Sequence, residues 1–173
     1  MSREDAIPMT VGGLTLDPAT KTPIVILRDD DNKLNLPIWI GLLEATAIAT
    51  ELEGIQMTRP MTHDLLRNLI GELGATVQSI EISDLRDNTY YAVINLVVDG
   101  APRTIDSRPS DAISLALRAK SPIYVARRVL EASSVLQQGE SGDNVESNLS
   151  NVSRDKWSEI LERMSPDDFK YKM

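Results

Sequence analysis

Cysteine is absent from the 173 residues, and histidine occurs once, at His63. The first absence excludes a disulfide framework, thiolate metal sites and a cysteine nucleophile. The second excludes a histidine-rich metal centre, so any bound metal would rest mainly on carboxylates. Aromatic side chains are scarce, with one Phe, two Trp and four Tyr, which leaves little for stacking on nucleobases. Tyr90 and Tyr91 accordingly read as sheet residues. No apolar run approaches the ~20 residues that span a bilayer; the longest is Leu36–Leu43. Met1–Asp5 holds two acids and no apolar stretch, unlike a signal peptide. A cytoplasmic protein without membrane contact is expected. The signatures G-x-x-x-x-G-K-[ST], G-x-G-x-x-G and G-x-S-x-G are also missing, and with them the usual marks of P-loop and nucleophile-elbow chemistry. A net charge of −8 excludes a wholly basic nucleic-acid coat.

What is present is an ordinary globular composition, 42% hydrophobic and 25% charged, in a chain long enough to bury a core without staples. Strands are predicted at 22–27, 34–40, 76–84, 89–98, 103–107 and 123–125, joined by turns at 29–32, 85–88 and Asp99-Gly100. Helices are predicted at 42–53, from Thr62 to Gly74, from Pro109 onward and at 126–136. Shifting the chain by 67 positions lays Ile38 on Ile105, Glu44 on Asp111, Ala45 on Ala112, Ile48 on Leu115 and Ala49 on Ala116. The reading is an internal duplication: three strands then a helix, twice, with an extra helix after each copy. The expected fold is therefore α/β (α+β), duplicated β-β-β-α units in a single compact domain over residues 1–137. A flexible acidic linker is expected at 138–152. A short helical segment at 153–173 should follow, with Trp157, Ile160, Leu161 and Met164 on one apolar face that docks on its own core or on a partner subunit.

The chemistry concentrates in Asp106-Ser107-Arg108-Pro109-Ser110-Asp111, a polar knot between a strand and a helix. Free N–H groups at the helix start attract anions, Arg108 suits a phosphate, and Asp106 with Asp111 suit a hard cation, Mg²⁺ or Mn²⁺. The same residues also fit a structural role: Asp111 complements the helix dipole, and Ser107 or Ser110 caps. The repeat tips the balance toward function. The equivalent positions of the first copy, Trp39-Ile40-Gly41-Leu42-Leu43, are wholly apolar, so the turn itself does not demand the polar residues. A second constellation is Arg59-Pro60-Met61-Thr62-His63-Asp64, where His63 could serve as base or acid beside a capping Thr62. Residues 103–128 carry six basic and two acidic side chains, a local surface compatible with phosphodiesters.

These blocks, with Leu36-Pro37-Ile38-Trp39-Ile40-Gly41, Glu44-Ala45, Tyr90-Tyr91-Ala92 and Pro122-Ile123-Tyr124-Val125, resemble the bifunctional nuclease domain family from about Ile7 to Leu136. The resemblance implies a homo-oligomeric α/β domain with nuclease activity on DNA and RNA. It brings no residue-level assignment, so the site rests on the chemistry above. His63, Asp106, Arg108 and Asp111 are expected to be catalytic, Arg59, Ser107 and Ser110 to bind substrate, and Asp106 with Asp111 to hold the cation. The rival reading is a non-enzymatic oligomeric module that binds a small anionic ligand or a protein.

Overall fold

A computed structural model of the chain describes residues 5–139. The first copy of the repeat is β1 (Ala6–Leu16), β2 (Pro23–Arg28), β3 (Asn35–Trp39) and α1 (Leu42–Leu52), followed by α2 (Thr62–Glu72). The second is β4 (Ala75–Arg86), β5 (Thr89–Val98), β6 (Ala101–Ser107) and α3 (Pro109–Ala119), followed by β7 (Ile123–Ala126) and α4 (Arg127–Gly139). All seven strands share one mixed sheet in the order β3-β2-β1-β7-β4-β5-β6. The two antiparallel three-stranded halves flank β7, which runs antiparallel to β1 and parallel to β4. The duplication is thus real as topology, and α1 and α3 start and stop at positions 67 apart.

The register departs from an ungapped repeat. Val25 faces Ile38, yet its counterpart Ala92 faces Ser107 and not Ile105. The second hairpin closes on the two-residue turn Asp99-Gly100, with φ of 50° and 76°, whereas the first needs the loop between Arg28 and Asn35. Tight turns of this kind require left-handed φ at both positions, which Asp-Gly supplies. A slip of two residues is tolerated because side chains alternate with period two, so every residue keeps its face.

The strand β1 was not located by the alternation pattern. Pro8 and Gly12-Gly13 interrupt its apolar rhythm, and the structure places a bulge between Val11 and Gly13. A Cβ at Gly12 would collide with the Arg28 side chain, so the glycine makes room for that neighbour.

One core cluster runs under the helices. It joins Val25, Leu27, Leu36 and Ile38 of one half to Ile80, Ile82, Ala92 and Ile94 of the other. The matched alanines Ala45 and Ala49 on α1 and Ala112 and Ala116 on α3 are all buried, and those two helices pack together. Small residues on both faces allow that close approach. The segment 153–173 and all but the start of the linker at 138–152 lie outside the described residues.

Candidate functional site

Each copy begins its helix with an N-cap in extended conformation, Gly41 for α1 and Arg108 for α3, and carries an acid three residues on. The two positions are equivalent by the repeat, but only one has a side chain. Arg108 uses it to bind both acids. Its Nη1 donates to Glu44 Oε1 at 2.8 Å, while Nε and Nη2 donate to Asp111 Oδ2 and Oδ1 at 2.7 and 3.1 Å. The bidentate fork fixes the Asp111 carboxylate plane. On the other copy the absent side chain is equally needed, because a Cβ at Gly41 would run into the Glu44 carboxylate.

His63 enters from the first turn of α2 and places Nε2 3.0 Å from Asp111 Oδ1. Burial pushes the Asp111 carboxyl up, but hydrogen bonds from Arg108 and His63 and their charges outweigh it and hold it below the usual aspartate value. An ionised Asp111 only accepts, so the Nε2 of His63 donates to it. Nδ1 has no hydrogen-bond partner among the described residues.

The neighbouring residue ties the same turn elsewhere. Asp64 Oδ1 accepts from Arg118 Nε at 2.7 Å, and Oδ2 accepts from the Met61 backbone N–H at 2.9 Å. Burial raises this carboxyl, and the Met61 and Arg118 bonds with the charges of Arg118 and Arg67 lower it further than burial lifts it. Arg118 is 4% exposed and also donates to the carbonyls of Ser114 and Ala47, so it holds α1, α2 and α3 together.

Several expectations are corrected. Thr62 is not the cap of α2: Met61 occupies that position, and Asp64 satisfies its N–H. Neither serine caps α3; the Ser107 hydroxyl donates to the Arg108 carbonyl at 3.0 Å, and Ser110 is buried. The structure does not bring Asp106 to Asp111. Asp106 pairs with Val93 on the exposed edge strand β6, while the next residue, Ser107, pairs with the core residue Ala92. Alternation therefore turns Asp106 to the sheet face away from α3. The expected Mg²⁺ or Mn²⁺ ligand pair is not assembled. Both Asp111 oxygens are already engaged, and among the described residues no three His, Asp or Glu side chains converge on a possible metal position. The basic stretch is also partly consumed within the fold: Arg108 and Arg118 bind acids, and Arg128 donates to the Ser83 carbonyl.

Arg59 makes no bond to this network but lies in the wall of a cleft of about 450 Å³ between the end of α1 and α2, which Asp64 and Arg118 also line. Glu44, Asp64, Arg67 and Arg118 were missed as site residues. Two signals were available: Glu44 is the repeat mate of Asp111, and Arg118 is a charge seven residues after Asp111, within a buried stripe.

The fold and site together define a class: α/β proteins whose duplicated units set two first-turn acids on one arginine, with a histidine on one of those acids. The chain belongs to the bifunctional nuclease domain family, which it matches over residues 25–138. It is 39% identical over 160 residues to an uncharacterized protein of Mycobacterium tuberculosis, covering 92% of this chain and 96% of that protein. Bifunctional nuclease 1 of Oryza sativa subsp. indica is 29% identical over 116 residues, 65% of this chain and 35% of the plant protein. Bifunctional nuclease 1 of Arabidopsis thaliana is 26% identical over 145 residues, 78% and 45% of the two chains. This chain spans less than half the length of those plant relatives. Among the described residues no helix is long and apolar enough to cross a membrane.

Proposed function

We propose that the protein is a cytoplasmic nuclease that hydrolyses phosphodiester bonds of DNA and RNA, with His63 as its proton-transfer residue. The observation that carries this reading is the His63–Asp111–Arg108–Glu44 chain. Arg108 locks Asp111, Asp111 orients the His63 ring through Nε2, and Nδ1 is left without an internal partner among the described residues. Family membership supports the substrate class. In the proposed step Nδ1 takes a proton from water as the water oxygen bonds to phosphorus. The imidazolium so formed is stabilised by Asp111, and it returns the proton to the leaving oxygen as the P–O bond breaks. Arg108, tied to two carboxylates, is a positioning residue. Arg59, which has no partner among the described residues, meets a backbone phosphate. No step is routed through a divalent cation, because the expected carboxylate pair is not assembled.

The test is hydrolysis of single-stranded DNA and of RNA by the full chain, with Mg²⁺, Mn²⁺ or chelator present. Activity must co-elute with the protein. General acid–base catalysis contributes roughly 10²–10⁴-fold, so His63→Ala should lower hydrolysis by about 10²-fold or more with the fold intact by circular dichroism. Wild-type rates in His63→Ala would overturn the assignment.

A further inference from the structure

The cleft beside α2 plays no part in the proton-transfer chain, yet it has the features of a ligand site. Its volume of about 450 Å³ falls in the range of roughly 300–1,000 Å³ found for small-molecule pockets. Three guanidinium groups line it, from Arg59, Arg67 and Arg118, beside the carboxylates of Glu51 and Asp64, the latter paired with Arg118. Arg118 is buried and its guanidinium is taken up by Asp64 and two carbonyls, so Arg59 and Arg67 are the cations that can meet a ligand. Arg67 touches only the Asn68 side-chain oxygen, and Arg59 has no partner among the described residues. At the mouth, Ile55 and Met57 are 38% and 56% exposed, which is apolar surface left to water beside fixed charge.

We propose that this cleft binds a phosphorylated nucleoside, of nucleoside 5′-monophosphate size. Planar guanidinium forks match phosphate oxygens, which accounts for Arg59 and Arg67 as the anion end. The side chains of Ile55 and Met57 cover one face of a flat ring. The Asn68 Oδ1 already accepts from Arg67, which leaves the amide N–H groups to donate to the polar edge of a base. A bare phosphate would fill only a small part of such a volume and would leave the apolar mouth unused. The choice of a nucleotide rests on the reading of the chain as acting on nucleic acid; the anion site itself does not.

Isothermal titration of the full chain with AMP, GMP, CMP and UMP tests this, with inorganic phosphate and ribose 5-phosphate as separate arms. At least one nucleotide should bind saturably, ten-fold or more tighter than either phosphate control. Arg67→Gln should weaken that binding ten-fold or more with the fold intact by circular dichroism; a small drop in melting temperature is expected, because the Arg67 charge also helps keep Asp64 ionised. Absence of saturable heat at millimolar nucleotide would overturn the proposal, as would wild-type affinity in Arg67→Gln. Equal affinity for inorganic phosphate would also overturn it, in favour of a simple anion site. Hydrolysis is not the readout here, so failure of the cleft and failure of His63 as catalyst are seen separately.

Discussion

Two aspartates in adjacent helices, Asp64 and Asp111, are held below their ordinary value of 3.8 by the guanidinium and backbone donors around them. A carboxyl whose folded value is depressed binds protons more readily when unfolded. It therefore contributes stability above its unfolded value and loses it as the pH drops through the folded one. Thermal melts should be flat from about pH 7 to 5 with respect to these groups and fall below about pH 4. Asp64→Asn and Asp111→Asn should each shallow that acid limb. Gly41 acts at the same scale through space and not through φ. Gly41→Ala should displace the Glu44 carboxylate from Arg108 and place a poorer residue at an N-cap. The expected cost is about 1 kcal/mol in urea denaturation, while the Asp111 half of the Arg108 fork survives.

Among the helices, α2 is the least anchored by apolar packing. None of its residues is fully buried, and Leu65, Leu66 and Leu69, with Leu73 just beyond its end, are 37–77% exposed. It is fixed to α3 by two polar links from its first turn, His63–Asp111 and Asp64–Arg118. Truncating one partner of a buried ion pair strands the other charge and costs roughly 3–5 kcal/mol. Asp64 is 25% exposed on its side chain, so Arg118→Met should fall at the low end, about 3 kcal/mol. Hydrogen exchange should then show the amides of α2 opening before those of α3. The homo-oligomer proposed from the family resemblance finds its best candidate surface in the same leucines, since an amphipathic helix must cover its apolar stripe. Leu69→Glu should lower the mass measured by light scattering to that of one chain; an unchanged mass would move the interface elsewhere.

At the scale of the whole molecule the duplication makes a shared site from two unequal copies. Both repeats supply an acid in the first helical turn, but one N-cap is glycine and the other arginine, so a single guanidinium serves both carboxylates. The extra helix after the first copy brings His63 to that cluster. The extra helix after the second copy instead packs Val129 and Leu130 into the core. The proposed site thus lies where the repeat is broken.

Most of the architecture was legible in the chain because its signals are local. The Asp87-Asn88 and Asp99-Gly100 turns, with left-handed φ at all four positions, declare hairpins. Pro109 opens α3 at its first position, and apolar spacing marks each helix. The strand β1 escaped because a glycine bulge breaks the alternation that reveals strands. The individual polar residues at 106–111 were legible too, as was the contrast with 39–43. Their partners were not. Whether Asp106 meets Asp111 depends on which sheet face a strand residue takes, and the pairing of β6 with β5 decides that. The bonds of Arg108 to Glu44, His63 to Asp111 and Arg118 to Asp64 span 64, 48 and 54 positions. Contacts of that range follow from how helices pack on the sheet. Periodicity along the chain fixes the faces of an element, and only its neighbours in space decide what those faces touch.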